Sequence, residues 1–268
     1  MKRFAAYTLA IVLPFYLTSC GGGNSSENAD NDANEMQPST LKVERMTGSP
    51  EYPEARLMQA APEDGALLPE GSVNFNFTVE GYELGAQTAD AETKGMANSG
   101  QGQHIHLILN NGPYSAHYEP TFEKELEAGH YVSLAFLSRS YHESVKNAGA
   151  AVVTQFVVGD GAYEAADLSA PHMFYSRPKG TYVGDDTKKV LLDWYLLNCD
   201  LSETGYTVRA TINGEEFIFT DWAPRTLEGL PMGENTIKLE LLDATGALVE
   251  SPFNPVVRKV MLKEKEAE

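Results

Sequence analysis

Over most of its length this 268-residue chain alternates apolar and polar positions with a period of two. Such runs occur as VNFNFTV at 73–79, HIHLIL at 104–109, HYVSLAFL at 130–137 and VVTQFVV at 152–158, separated by stretches rich in Gly, Pro, Asn and Asp. Alternation sends successive side chains to opposite faces of a strand, and short strands at this spacing predict β-sandwiches. Helical periodicity is absent beyond about one turn.

The pattern then recurs. Residues 61–67 (APEDGAL) match 177–182 (RPKGTY), and VNFNFTV matches VLLDWYL at 190–196. HIHLILNNGPYSAHY matches TVRATINGEEFIFTDW at 207–222, and LEAGHYVSLAFL matches LPMGENTIKLELL at 230–242. Four segments in the same order predict a duplication. The expected fold class is therefore all-β: two tandem Ig-like or fibronectin-like β-sandwiches, at 45–160 and 170–263, joined by a linker at 161–169. In this alignment His104, His106, His117 and His130 fall on Thr207, Arg209, Thr220 and Glu234. Two copies that fold with the same core differ in histidine, so folding does not require the imidazoles.

Ahead of the first sandwich the composition changes. MKRFAAYTLAIVLPFYLTSC has two early cations, an apolar run and a small-residue end, the form of a secretory signal over residues 1–19. Its last four letters, Leu17-Thr18-Ser19-Cys20, resemble a bacterial lipobox, which implies lipidation of Cys20, palmitate included, and attachment to a membrane through acyl chains. Residues 20–44 contain few large apolar side chains and read as a disordered tether. Glycine after Cys20, by resemblance to Gram-negative lipoproteins, implies a cell-envelope address at the outer membrane, facing the periplasm or the cell surface. Loss of Lys2 and Arg3 takes the formal charge from −18 to −20. Such a charge repels phosphate backbones and excludes nucleic acid as a partner. Cys199 is then the remaining cysteine and reads as a small hydrophobe without a disulfide partner.

Three of the six histidines lie between 104 and 117. Asn111-Gly112 is a two-residue hairpin signal, and a turn there pairs 109 with 114, 107 with 116, 106 with 117 and 104 with 119. That register puts Ile105, Leu107, Leu109, Tyr114, Ala116 and Tyr118 on the core face. His104, His106, Ile108, Ser115, His117 and Glu119 face outward. Cross-strand neighbours are close enough for His104, His106, His117 and Glu119 to converge on one ion, with Zn²⁺ or Cu²⁺ the candidates for an imidazole-rich set. An ordinary solvated polar face is the alternative.

A second candidate lies in SRSYHESVKNAG at 138–149, expected at the same end of the sandwich. There Arg139, His142 and Lys146 could hold an anionic peptide, a phosphopeptide among them, or a glycan; the alternative is an ordinary Arg139–Glu143 ion pair. Ser140, His142 and Glu143 supply the letters of a triad at unsuitable spacing. No nucleophile elbow, phosphate loop or HExxH motif occurs, so a non-enzymatic protein is expected.

From about Glu54 to Arg258, through HIHLILNNGPY, SRSYHESVKNAGA and YSRPKGTYVGDDTKKVLLDWYL, the chain resembles a family of bacterial two-domain lipoproteins. Some members carry an automatic phosphopeptide-binding name, which the resemblance would place on Arg139, Lys146, Arg177 and Lys179. The resemblance implies the architecture more than a mechanism. The expected function is a lipid-anchored, non-catalytic binding module for an unidentified ligand. A structural component of an envelope complex, partnered by another envelope protein, is the alternative.

Overall fold

The structure, a computed structural model, describes residues 41–266; the signal segment 1–19, Cys20 and the tether up to residue 40 lie outside the described residues. The alternating runs become strands where their periodicity predicts. In chain order these are β1 (Lys42–Arg45), β2 (Arg56–Ala61), β3 (Leu67–Leu68), β4 (Gly71–Glu80), β5 (His104–Leu109), β6 (Ser115–His117), β7 (Thr121–Leu126), β8 (Gly129–Ser138) and β9 (Ala151–Val158). One turn of α-helix, α1 (Ala91–Lys94), lies between β4 and β5, and a 3-10 turn spans Gly184–Thr187. The second half continues with β10 (His172–Arg177), β11 (Gly180–Val183), β12 (Val190–Leu197), β13 (Thr207–Ile212), β14 (Glu215–Phe219), β15 (Arg225–Glu228), β16 (Gly233–Leu242) and β17 (Val256–Lys263).

These strands form two sandwiches of one design. The first stacks a sheet of order β2-β4-β7 on a sheet of order β3-β9-β8-β5-β6, and the second stacks β15-β12-β10 on β11-β17-β16-β13-β14. Strand for strand, the second order is the first advanced by eight. The parallel edge pair recurs as well, β3 with β9 and β11 with β17. Each sandwich buries its own core: Leu57, Phe75, Phe77, Ile105, Leu107, Leu137 and Phe156 in the first, Leu192, Trp194, Val208, Ile212, Phe219 and Leu239 in the second.

Two features depart from the sequence reading. The first is that β1, placed by sequence in the tether and at the start of the first sandwich, pairs with β15 and so extends a sheet of the second. Its one apolar residue explains why: Val43 packs on the second core. The second is the fate of an outer face. Ile108, Val132, Leu134 and Phe136 leave the first sandwich on the outside of its five-stranded sheet and meet Phe174, Tyr195 and Phe253 of the second in a third apolar cluster. The two sandwiches therefore pack sheet against sheet along a largely apolar seam. Asn111 braces it, its amide donating to Met173 O and Phe253 O and its Oδ1 accepting from Tyr175 N–H. The linker is fastened too, since Gln155 and Ala166 exchange two hydrogen bonds.

Candidate metal centre

The hairpin that carries the histidines turns one residue earlier than expected. Asn110 and Asn111 both adopt left-handed φ (50° and 52°), and Gly112 N–H donates to Leu109 O at 2.8 Å. Gly112 and Pro113 add a residue on the return side before β6, and Pro113 has no N–H to offer a ladder. Pairing runs Ile105–His117, His106–Ala116 and Leu107–Ser115. A slip of one residue reverses the face of every side chain on the return strand. Tyr114 and Ala116 thereby join His106 on the seam side, whereas His117 turns toward the first core.

This overturns half of the expected ligand set. His117 stacks on Phe122 with ring centroids 3.3 Å apart, and its Nε2 lies 2.7 Å from Ser115 Oγ. Glu119 is exposed at the rim. Neither joins the cluster of ring nitrogens that includes His104 and His106. His130 bonds to Gln155, and His172 bridges Ser251 and Asp167.

His104 and His106, two residues apart on β5, point together into the seam and are fully buried. The third imidazole comes from His142. It sits in a tight turn after β8, where His142 N–H donates to Arg139 O, with φ of 71°. A non-glycine residue held in that region marks a position the surroundings over-determine. Paired hydrogen bonds between Thr88 and Ser140 tie the turn to the long segment between β4 and β5. The nitrogens of His104, His106 and His142 all lie within 4.8 Å of one another, and among the described residues no Asp, Glu or Cys joins the group.

The protonation pattern is constrained. His104 Nδ1 is 2.8 Å from Gly102 O; a carbonyl only accepts, so Nδ1 carries the hydrogen and Nε2 presents a lone pair. The carbonyl is placed by a backbone only glycine allows: Gly102 has φ of 85°, and a Cβ there would lie 2.3 Å from Gly85 O. His104 Nε2 faces His106 Nε2 at 2.8 Å and His142 Nδ1 at 3.1 Å. Burial pushes His104 down to about 4 against the upward pull of its bond to Gly102, the next largest influence, and the cations Arg177 and Lys179 add smaller downward pushes. Burial also holds His106 and His142 well below the ordinary imidazole range. All three rings are neutral at pH 7, and neutral imidazole is the form that ligates metals.

Around the nitrogens the walls are aromatic. Tyr114 stacks on His106 at 3.6 Å, Phe136 meets His106 edge-on, and Tyr118 lies 5.1 Å from His104. Ser176 of β10 puts its Oγ 3.4 Å from His106 Nδ1, so the second sandwich supplies part of the shell. Sequence reasoning missed Tyr114, Ser176 and the seam itself. A signal existed in β8, where VSLAFL is almost continuously apolar, the mark of a strand covered on both faces.

The expected anion site is not assembled. Arg139 is buried, donates to Pro50 O and Ser144 O, and pairs with Glu143 at 3.2 Å. Lys146 reaches across the seam to the fully buried Asp193, which also accepts from Ser144 N–H. Both cations serve as struts, and of that trio His142 alone faces a site. Cys199 is half-buried, and burial with Asp200 nearby pushes its thiol up to about 11.

No family model matches this sequence, and neither does any curated protein. Among solved structures the chain is similar to the fibronectin(III)-like modules of Clostridium thermocellum CbhA, at 15% identity over 78% of this chain and 94% of that one, with a TM-score of 0.28. It is also similar to Bacteroides ovatus SGBP-B of a mixed-linkage glucan utilization locus, in complex with a mixed-linkage heptasaccharide, at 10% identity over 81% and 72% and a TM-score of 0.24. The N-terminal Ig1-2 module of the Drosophila receptor protein tyrosine phosphatase DLAR gives 11%, 79%, 100% and 0.23. The fold rests on the strand order above. No helix among the described residues is long and apolar enough to cross a membrane.

Proposed function

We propose that this protein is a non-catalytic binding module that holds a transition-metal ion, Zn²⁺ or copper, between His104 Nε2, His106 Nε2 and His142 Nδ1. One observation carries the reading: a single lone pair on His104 Nε2 faces two other ring nitrogens at 2.8 and 3.1 Å. Without an ion, either two N–H groups converge on that one acceptor, or His142 Nδ1 accepts from Tyr114 Oη at 3.4 Å and turns its own lone pair on that of His104; both arrangements are unfavourable in a buried, neutral pocket. A metal ion relieves both and accepts all three lone pairs. With metal–nitrogen bonds of about 2.0–2.1 Å, tetrahedral neighbours stand about 3.3 Å apart, so modest side-chain rotation opens the cluster to fit. Gly102 O fixes the His104 tautomer, and Ser176 can accept from His106 Nδ1–H once Nε2 binds metal.

The anchor expected at Cys20 would hold this module to the envelope membrane, and the acidic chain would keep it from nucleic acid. The test is calorimetry of the full chain with Zn²⁺ and with Cu²⁺, comparing wild type with the double variant His104→Ala, His106→Ala. One-site binding is expected in wild type, weakened at least about a hundredfold in the variant. An absence of binding heat, or equal heat from both proteins, rejects the reading.

A further inference from the structure

The ion's charge follows from what surrounds the three nitrogens. The donors are neutral, and the charged groups that act on the rings are Arg177 and Lys179, both cations of the second sandwich. Lys179 is fixed in place, its Nζ donating to Tyr114 O at 2.6 Å and lying 3.9 Å from the centre of the ring that stacks on His106. Arg177 is buried 5.3 Å from the same ring and donates to Tyr182 Oη. The carboxylates nearby are committed elsewhere. Glu143 accepts from Ser49 and pairs with Arg139, and Asp193 pairs with Lys146.

An ion entering this pocket brings charge with no counter-charge to meet it. Its desolvation cost grows with the square of its charge, and its repulsion from fixed cations grows in proportion. A divalent ion therefore meets about four times the first penalty and about twice the second that a monovalent ion meets. The aromatic walls keep the local dielectric low, which enlarges both. Among the transition ions that imidazole suits, copper has the accessible monovalent state. As a filled-shell ion, Cu(I) accepts two or three imidazoles with no further anion.

Building on the metal reading above, we infer that the site selects Cu(I) over Zn²⁺. The absence of sulfur among the three donors sets its affinity below that of thiolate sites, so the ion is exchangeable.

The full chain is titrated without oxygen, with Cu(I) against a chromophoric chelator and with Zn²⁺ against an indicator dye. His106→Ala, His142→Gly and Lys179→Glu are measured in parallel. Cu(I) is expected to bind one equivalent at least about a hundredfold tighter than Zn²⁺. Either histidine variant is expected to lose it; glycine suits the left-handed backbone at 142, so that variant reports on the ligand if His106→Ala misfolds. Lys179→Glu puts an anion where a cation stood and is expected to narrow the ratio by about tenfold. Zn²⁺ binding as tightly as Cu(I) overturns the selectivity and leaves a metal site standing; a ratio unmoved by Lys179→Glu overturns the fixed cations as its cause. Failure of both ions to bind, or binding unchanged in both histidine variants, removes the site as well.

Discussion

The molecule contains the same hairpin twice, and the two copies use their outer faces in opposite ways. In the second sandwich Asn213-Gly214 forms the turn, Ile212 pairs with Glu215, and Arg209 stands opposite Ile218. Arg209 reaches Glu240 at 2.8 Å, and Ile218 is 54% exposed. Glu240 is covered by its partners Arg209 and Lys238, and these cations and Ile218 carry the face to solvent. In the first sandwich His106 stands where Arg209 does, and Phe136, its neighbour on β8, stands where Glu240 does. Both are fully buried. The return strands differ as well: by ladder position His117 corresponds to Phe219, a core aromatic stacked on Trp194, rather than to Thr220. One copy kept its outer face for water, and the other turned it into a seam with a cluster of imidazoles at its edge. Folding demands only the inner face of each sheet, so the outer face was free to diverge.

Three measurements would break or sharpen this contrast. The largest effect is expected at the matched pair Phe136 and Glu240. Phe136→Ala removes a buried seam aromatic and should lower unfolding stability by about 3–5 kcal/mol. Glu240→Ala breaks two ion pairs, to Arg209 at 2.8 Å and Lys238 at 3.0 Å, whose cations remain partly solvated, and should cost about 1–2 kcal/mol. Equal losses in urea denaturation would mean that the seam is not the apolar contact described.

Acid should act on the first hairpin next. His104 titrates at about 4 in the folded chain against 6.5 for a free imidazole, chiefly through burial. The unfolded chain therefore takes up the proton first as pH falls. Its contribution is full above pH 6.5 and is lost progressively as pH drops toward 4, a loss of up to about 3 kcal/mol. Replacing His104 with threonine, the residue its counterpart carries, should flatten that limb of a stability–pH profile; an unchanged slope would assign the acid sensitivity elsewhere.

The smallest effect concerns the turn asparagines. Asn111→Ala strands two carbonyls and an N–H inside the seam and should cost about 2 kcal/mol or more. Asn213 has left-handed φ of 50°, is itself exposed and bonds to Asn235 and Thr236 within its own sheet, so Asn213→Ala should cost about 1 kcal/mol. A reversed order would show that Asn111 braces nothing.

Much of the architecture was legible because it rests on alternation. The runs at 73–79, 130–137 and 190–196 carry their own faces, and the duplication showed in their order. The hairpin register was a closer contest. Asn-Gly and Asn-Asn both tolerate left-handed backbone, and local propensity alone favours the former. Asn110-Asn111 forms the turn in a setting where the Asn111 side chain bonds three backbone groups from residues 173, 175 and 253, partners more than sixty positions away. The same slip sent His117 inward and left room for His142. That histidine was legible as a residue at the right end of the sandwich, but its role depended on a turn and a strand meeting in space. Arg139 and Lys146 looked available because their partners, Pro50 O and Asp193, are equally remote.

The strand Lys42–Arg45 has a mechanical consequence. Its four residues run antiparallel to Arg225–Glu228, on the edge of the half that the chain completes last. Any pull transmitted through the polypeptide ahead of residue 41 enters the body there. The histidine-bearing half follows that strand in the chain, so such a load would be borne by the β1–β15 ladder before it reached the imidazoles.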